Sequence, residues 1–112
     1  MIYFITLSAG KQAVEEFLIK QGFSKRKNDW IYGDCFISNY TSYIDKEMGR
    51  TTIKLDLPST PRYTDAMEEK GFKAGKNIRC DFESLESLLK EITAYNIIKA
   101  VEKIGFGKKF NS

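Results

Sequence analysis

Hydrophobic and polar residues alternate most clearly near the middle of the chain. Thr51, Ile53, Leu55 and Leu57 occupy one phase of a two-residue period, and Thr52, Lys54 and Asp56 occupy the other. Successive side chains of a strand point to opposite faces, so this run predicts a half-buried strand, which Pro58 ends. The apolar, β-rich run at 2–7 predicts a first strand. Between the two, Trp30-Ile31-Tyr32 and Cys35-Phe36-Ile37 flank Gly33-Asp34. The leading glycine suits the type II′ turn of a two-residue hairpin. The second arm of that hairpin is expected to run on toward Tyr43 or Ile44. A loop through Met48-Gly49-Arg50 then returns the chain to the strand at 51–57.

Elsewhere the period is that of a helix. Val14, Phe17, Leu18 and Gln21 stand at i, i+3, i+4 and i+7, which predicts a helix over 11–21. Thr60-Pro61 reads as an N-cap followed by proline at the first helical position, opening a short helix to Lys70. The polar stretch 24–29 reads as a connection, and Asn77 to Asp81 as a weak strand candidate. From Glu83 onward Leu85, Leu88, Leu89 and Ile92 form one stripe, while Ala94, Ile97, Ile98, Val101 and Ile104 form a second, rotated one. That rotation predicts either a break at 93–96 with two helices in succession, the favoured reading, or a single long helix covered on two sides. Three helical stretches close on a Gly-Phe pair, at Gly22-Phe23, Gly71-Phe72 and Gly105-Phe106. Glycine supplies the left-handed residue of a Schellman cap, and the phenylalanine folds back on the last turn.

The resulting order is β-α-β-β-β-α-(β)-α-α. It predicts an α+β fold: a three- to five-stranded, mainly antiparallel sheet with a β-meander core, packed against three or four helices. A single domain is expected over 1–106, with 107–112 as a flexible tail.

Composition narrows the class. The chain has 112 residues, of which 42% are hydrophobic and 29% charged, a balance that supports one globular core and excludes disorder. No run approaches the ~18–20 apolar residues of a membrane span. The first residues lack the basic start of a signal peptide. A cytoplasmic location without membrane contact is therefore expected. Two cysteines, Cys35 and Cys80, are too few for a disulfide framework and are expected as thiols. Fourteen lysines against four arginines, with abundant Ile, Asn, Phe and Tyr, imply AT-rich codons and hence a low-GC bacterium or one of its phages.

Catalytic chemistry is hard to assemble from this set. The chain contains no histidine, which removes Ser-His-Asp and Cys-His nucleophiles, imidazole bases and most zinc sites. The acidic pairs Glu15/Glu16, Glu68/Glu69 and Glu83/Glu86 fall on predicted helices and serve as solvated faces. Ser8-Ala9-Gly10-Lys11 sits where a phosphate loop would, but position 5 is Ile and Gln12 replaces the metal-binding Ser/Thr. No catalytic residue, metal or cofactor is assigned.

Binding residues are easier to nominate. Lys25, Arg26 and Lys27 follow the first Gly-Phe stop, Lys73, Lys76 and Arg79 the second, and Lys108 and Lys109 the third. Lysines also complement helix C-termini and solubilise loops, and the net charge is only +3. Convergence of these ends on one side makes a positive surface for phosphates or an acidic partner. Tyr32, Tyr40 and Tyr43 add contact area with a hydroxyl at little entropic cost. The expected function is a small non-catalytic interaction protein that docks on a protein or ribonucleoprotein partner, inhibition being one form of this. Short phage-borne antagonists such as anti-CRISPR proteins are the class it fits. The alternatives are RNA or DNA binding through the basic helix ends, and a histidine-free enzyme with a carboxylate site.

Overall fold

The computed structural model describes the backbone of residues 1–103 and the side chains of residues 1–93. In chain order the elements are β1 (Ile2–Leu7), α1 (Lys11–Lys20), β2 (Ser24–Arg26), β3 (Asp29–Tyr32) and β4 (Cys35–Asn39). There follow α2 (Tyr43–Glu47), β5 (Thr51–Asp56), α3 (Pro61–Glu69), β6 (Asn77–Arg79) and α4 (Phe82–Lys103).

The two-residue period becomes two faces of one sheet. Tyr3, Ile5 and Leu7 of β1 point to the same side as Ile53 and Leu55 of β5, and all five are buried. Cys35 and Ile37 of β4 and Trp30 of β3 continue that side. The strand order is β2-β3-β4-β5-β1-β6. β2 to β5 form a meander, β1 joins antiparallel beside β5, and β6 pairs parallel to β1. The Gly33-Asp34 hairpin forms as expected, with Gly33 at φ 56.

Three helices cover the buried side. α1 contributes Val14 and Leu18, α3 contributes Tyr63, Ala66 and Met67, and α4 contributes Leu85, Leu88, Leu89 and Ile92. Apart from Ala66, these side chains and the inward strand residues form one cluster. α1 ends on Gly22 at φ 94, with the Phe23 N–H donating to the Leu18 carbonyl and the Gly22 N–H to Ile19. α3 repeats the device: Gly71 lies at φ 87, and Phe72 and Gly71 donate to Met67 and Glu68. Both phenylalanines are buried, so the Schellman cap also anchors each following loop to the core. The third Gly-Phe pair lies outside the described residues, as does the segment 107–112.

Several expectations are corrected. Among the described residues the sheet has six strands and is mixed, because β6 runs parallel to β1. The stretch 24–26 is a strand rather than a connection. It joins β3 through a tight turn at Lys27, whose φ is 59. Residues 43–47 form α2 where a strand end and loop were expected. α4 runs without a break from Phe82 to Lys103, so position 93–96 is no helix boundary. Thr60 occupies the N-cap position of α3, but its side chain makes no cap bond; its carbonyl accepts from the Tyr63 and Thr64 N–H groups and from the Thr64 hydroxyl. Cys35 and Cys80 are both thiols. β4 and β6 are three strand spacings apart, about 14 Å, well beyond disulfide reach. Among the described residues no helix is long and apolar enough to cross a membrane.

Candidate functional site

The face of the sheet turned away from α1, α3 and α4 carries the other phase of every strand. Register places its residues in rows. Ile31, Phe36, Asp56 and Ile2 make one, and Asp29, Ser38, Lys54, Phe4 and Asn77 the next. A third holds Tyr40, Thr52, Thr6 and Arg79, with the Tyr40 N–H donating to the Thr52 carbonyl. Among the described residues only α2 lies on this side. Tyr40 packs on Phe4, ring centroids 4.8 Å apart. Eight large hydrophobic residues are exposed in the described chain, and six of them belong to this face or to α2: Ile2, Phe36, Tyr40, Tyr43, Ile44 and Met48. Monomeric proteins rarely leave apolar side chains gathered on one side without a use for them.

α2 is too short to hold itself by an apolar stripe, and polar bonds fix it instead. Ser42 and Asp45 form a capping box: the Asp45 N–H donates to Ser42 Oγ at 3.1 Å, and the Ser42 N–H donates to Asp45 Oδ2 at 3.0 Å. The helix stops on Gly49 at φ 68, with the Arg50 N–H donating to the Asp45 carbonyl at 2.9 Å. Arg50 then turns its Nε back onto Asp45 Oδ1 at 2.6 Å. One acidic residue thus receives both ends of the loop.

Asp45 also ties α2 to the sheet. The Thr52 hydroxyl donates to Asp45 Oδ2 at 2.8 Å, the Thr6 and Thr52 hydroxyls are 2.7 Å apart, and Thr6 reaches Asn77 Oδ1 at 3.0 Å. This polar chain crosses β6, β1 and β5 beneath a cleft of about 280 Å³, which Tyr40, Ser42, Arg50 and Arg79 also line. The Arg50 guanidinium holds the Asp45 carboxyl well below the usual carboxylate range, and the Ser42 N–H and Thr52 hydroxyl act in the same direction. Asp45, Thr6 and Thr52 are all buried. Sequence reasoning missed this group. Its local signals were Ser42-x-x-Asp45 and the glycine at 49, a cap and a stop only seven residues apart.

A second recess, of about 310 Å³, lies between α1 and the β2–β3 hairpin, with Val14, Leu18, Trp30 and Ile53 on its walls. Lys25 lies at its rim, paired with Glu15 at 3.3 Å and placed 5.7 Å from the centre of the Trp30 ring. Among the described residues no three Cys, Asp or Glu side chains gather as a metal site.

The nominated basic residues do not converge. Lys25, Arg26 and Lys27 form β2 and its turn at one edge of the sheet. Lys73 and Lys76 lead into β6, and Arg79 lies on it, at the opposite edge. Five strand spacings, about 24 Å, separate the edges. Lys108 and Lys109 lie outside the described residues. Of the tyrosines, Tyr40 and Tyr43 are exposed at 58% and 76% and sit together at the α2 end of the open face. Tyr32 is half-buried and packs on Phe23, centroids 5.6 Å apart, and so belongs to the structural framework. Comparison with protein-family models, with curated protein sequences and with solved structures gives no match to this chain.

Proposed function

We propose that this is a non-catalytic interaction protein, and that it docks on a protein partner through the open sheet face and α2. One observation carries the reading: among the described residues, six of the eight exposed large hydrophobic side chains lie on the side that the three long helices leave bare. Protein interfaces combine aromatic and aliphatic anchors with charged neighbours, and this face sets Ile2, Phe36 and Tyr40 around Lys54 and Asp56. Lys54, half-buried in its middle row, and Arg79, at its edge, have no hydrogen-bond or ion-pair partner among the described residues. A partner that covers them must bring acceptors, so an apolar surface with carboxylates beside it is the complementary shape. A short antagonist that occupies its target's working surface acts through a face of this kind.

Site-directed photo-crosslinking tests the proposal. A crosslinker at Phe36 or Ile44 is expected to capture one protein in cells, while the same group at Ile19, exposed on α1, captures none. Adducts with nucleic acid from Phe36 favour the alternative reading. Equal labelling from Phe36, Ile44 and Ile19 sinks the docking face.

A further inference from the structure

The cleft beside α2 holds chemistry that apolar docking does not use. Among the described residues Asp45 is the one carboxylate lining it, and both its oxygens already accept, from Arg50 Nε, the Ser42 N–H and the Thr52 hydroxyl. Two arginines against one carboxylate leave the lining with a net positive charge of one. The groups still open to a visitor are nearly all donors. Arg50 has used only its Nε, so its terminal nitrogens remain. Arg79 has neither hydrogen bond nor ion pair among the described residues. The Oδ1 of Asn77 faces the Thr6 hydroxyl, which leaves the amide nitrogen, and the Ser42 oxygen accepts from Asp45, which leaves its proton.

We propose that this cleft is a binding site for a phosphate group. Arginine's planar fork matches phosphate oxygens, and Arg50 is already immobilised by its clamp on Asp45, so little freedom is lost on binding. The donors arrive from three places: Ser42 at the α2 cap, Arg50 just before β5, and Asn77 and Arg79 on β6. A tetrahedral anion presents acceptor oxygens out of a single plane, which suits donors from separate elements better than the coplanar lone pairs of a carboxylate do. A metal ion is a poor fit, because every carboxylate oxygen already accepts a hydrogen bond. The volume of about 280 Å³ lies at the small end of ligand pockets and admits a phosphate with part of the group that carries it.

The experiment is a titration of ¹⁵N-labelled protein at low ionic strength with inorganic phosphate, a mononucleotide and a phosphoserine hexapeptide. Saturable amide shifts are expected at Ser42, Asp45, Thr52, Asn77 and Arg79. Arg79→Gln is expected to weaken binding about tenfold, the size of one charge-assisted hydrogen bond. Lys25→Gln, at the far edge, is expected to leave the affinity unchanged. Whichever of the three binds tightest identifies the source of the phosphate. Shifts spread evenly over the lysine-bearing loops, or an affinity unaltered by Arg79→Gln, overturn the site. The same spectra report whether each variant is folded. The titration needs no docking partner, so its failure and that of the docking face are separate events.

Discussion

Thr6 and Thr52 face each other across β1 and β5 with their hydroxyl oxygens 2.7 Å apart, and the proton of Thr52 goes to Asp45. A carboxylate only accepts, so the Thr52 hydrogen is committed to Asp45, and the single hydrogen of Thr6 is shared between the Thr52 oxygen and Asn77 Oδ1, 3.0 Å away. The direction of the Thr52 hydroxyl is thus set by the ionised state of a single residue. Protonating Asp45 removes the acceptor that orders the row, and weakens the hold on Arg50 together with it.

The first prediction concerns acid. An unfolded aspartate titrates near pH 3.9, about the ordinary value, and folding depresses Asp45 below that. A depressed carboxylate contributes stability that is complete above its unfolded value and lost as pH falls through the folded one. The contribution of Asp45 is therefore present in full above about pH 5 and shrinks below about pH 4. Asp81, whose side chain accepts from the Ser84 N–H at 2.7 Å at the start of α4, is depressed too and shares the trend. Thermal melts from pH 7 to pH 2.5 should show wild type losing more stability in acid than Asp45→Asn. The variant keeps the Asp81 share. Parallel curves for the two proteins would mean that Asp45 is not the ordering acceptor.

The second prediction separates two glycines with the same conformation. Gly22 and Gly71 both occupy the left-handed region, and alanine at either is expected to cost roughly 1 kcal/mol in strain. They differ in surroundings. A Cβ on Gly22 would lie 2.8 Å from Cε2 of Tyr32, whereas a Cβ on Gly71 meets nothing. Gly22→Ala should therefore be the more damaging in urea denaturation, and Tyr32→Leu should recover part of its loss. Equal midpoints for the two alanine variants would show that the Tyr32 ring moves aside freely.

These two glycines were legible in the sequence, and so were the strand at 51–57, the Gly33-Asp34 hairpin and the apolar stripe of α4 through Ile92. Each is set by local chemistry: an apolar period, a turn residue, a stop. β2 was not, because Ser24, Lys25 and Arg26 are all exposed at a sheet edge and leave no alternation to read. α2 escaped because its five residues are held by Ser42, Asp45 and Arg50 and not by an apolar face. The parallel pairing of β6 depends on where α3 returns the chain, which no local pattern records. The polar cleft is the extreme case. Thr6, Asp45, Thr52 and Asn77 come from four elements, and in the sequence Thr52 reads as an ordinary solvent-facing position of β5.

The third prediction uses the division of charge between the two edges. Lys25, Arg26 and Lys27 stand at the β2 edge, and Lys73, Lys76 and Arg79 at the β6 edge. A nucleic-acid strand held at one edge meets three of these cations, and a strand laid across the whole sheet meets six. Each single-strand phosphate contact lowers log affinity by about 0.7 per decade of salt, so the expected slopes are about 2 and about 4. Because the cations do not converge, a fluorescent single-stranded oligonucleotide should bind weakly with the shallower slope. Reversing Lys73, Lys76 and Arg79 to Glu should remove that binding, and reversing the β2 set should leave it nearly intact. The β2 reversal is not silent in stability, since Glu at position 25 would face Glu15 and lose the Trp30 contact; an exposed pair of this kind is worth up to about 1 kcal/mol. Anisotropy at constant temperature, well below each variant's melting point, keeps the two effects apart. A slope near 4 that both reversals reduce would identify a strand crossing the open face, and would make nucleic acid, not an acidic protein surface, the partner of this chain.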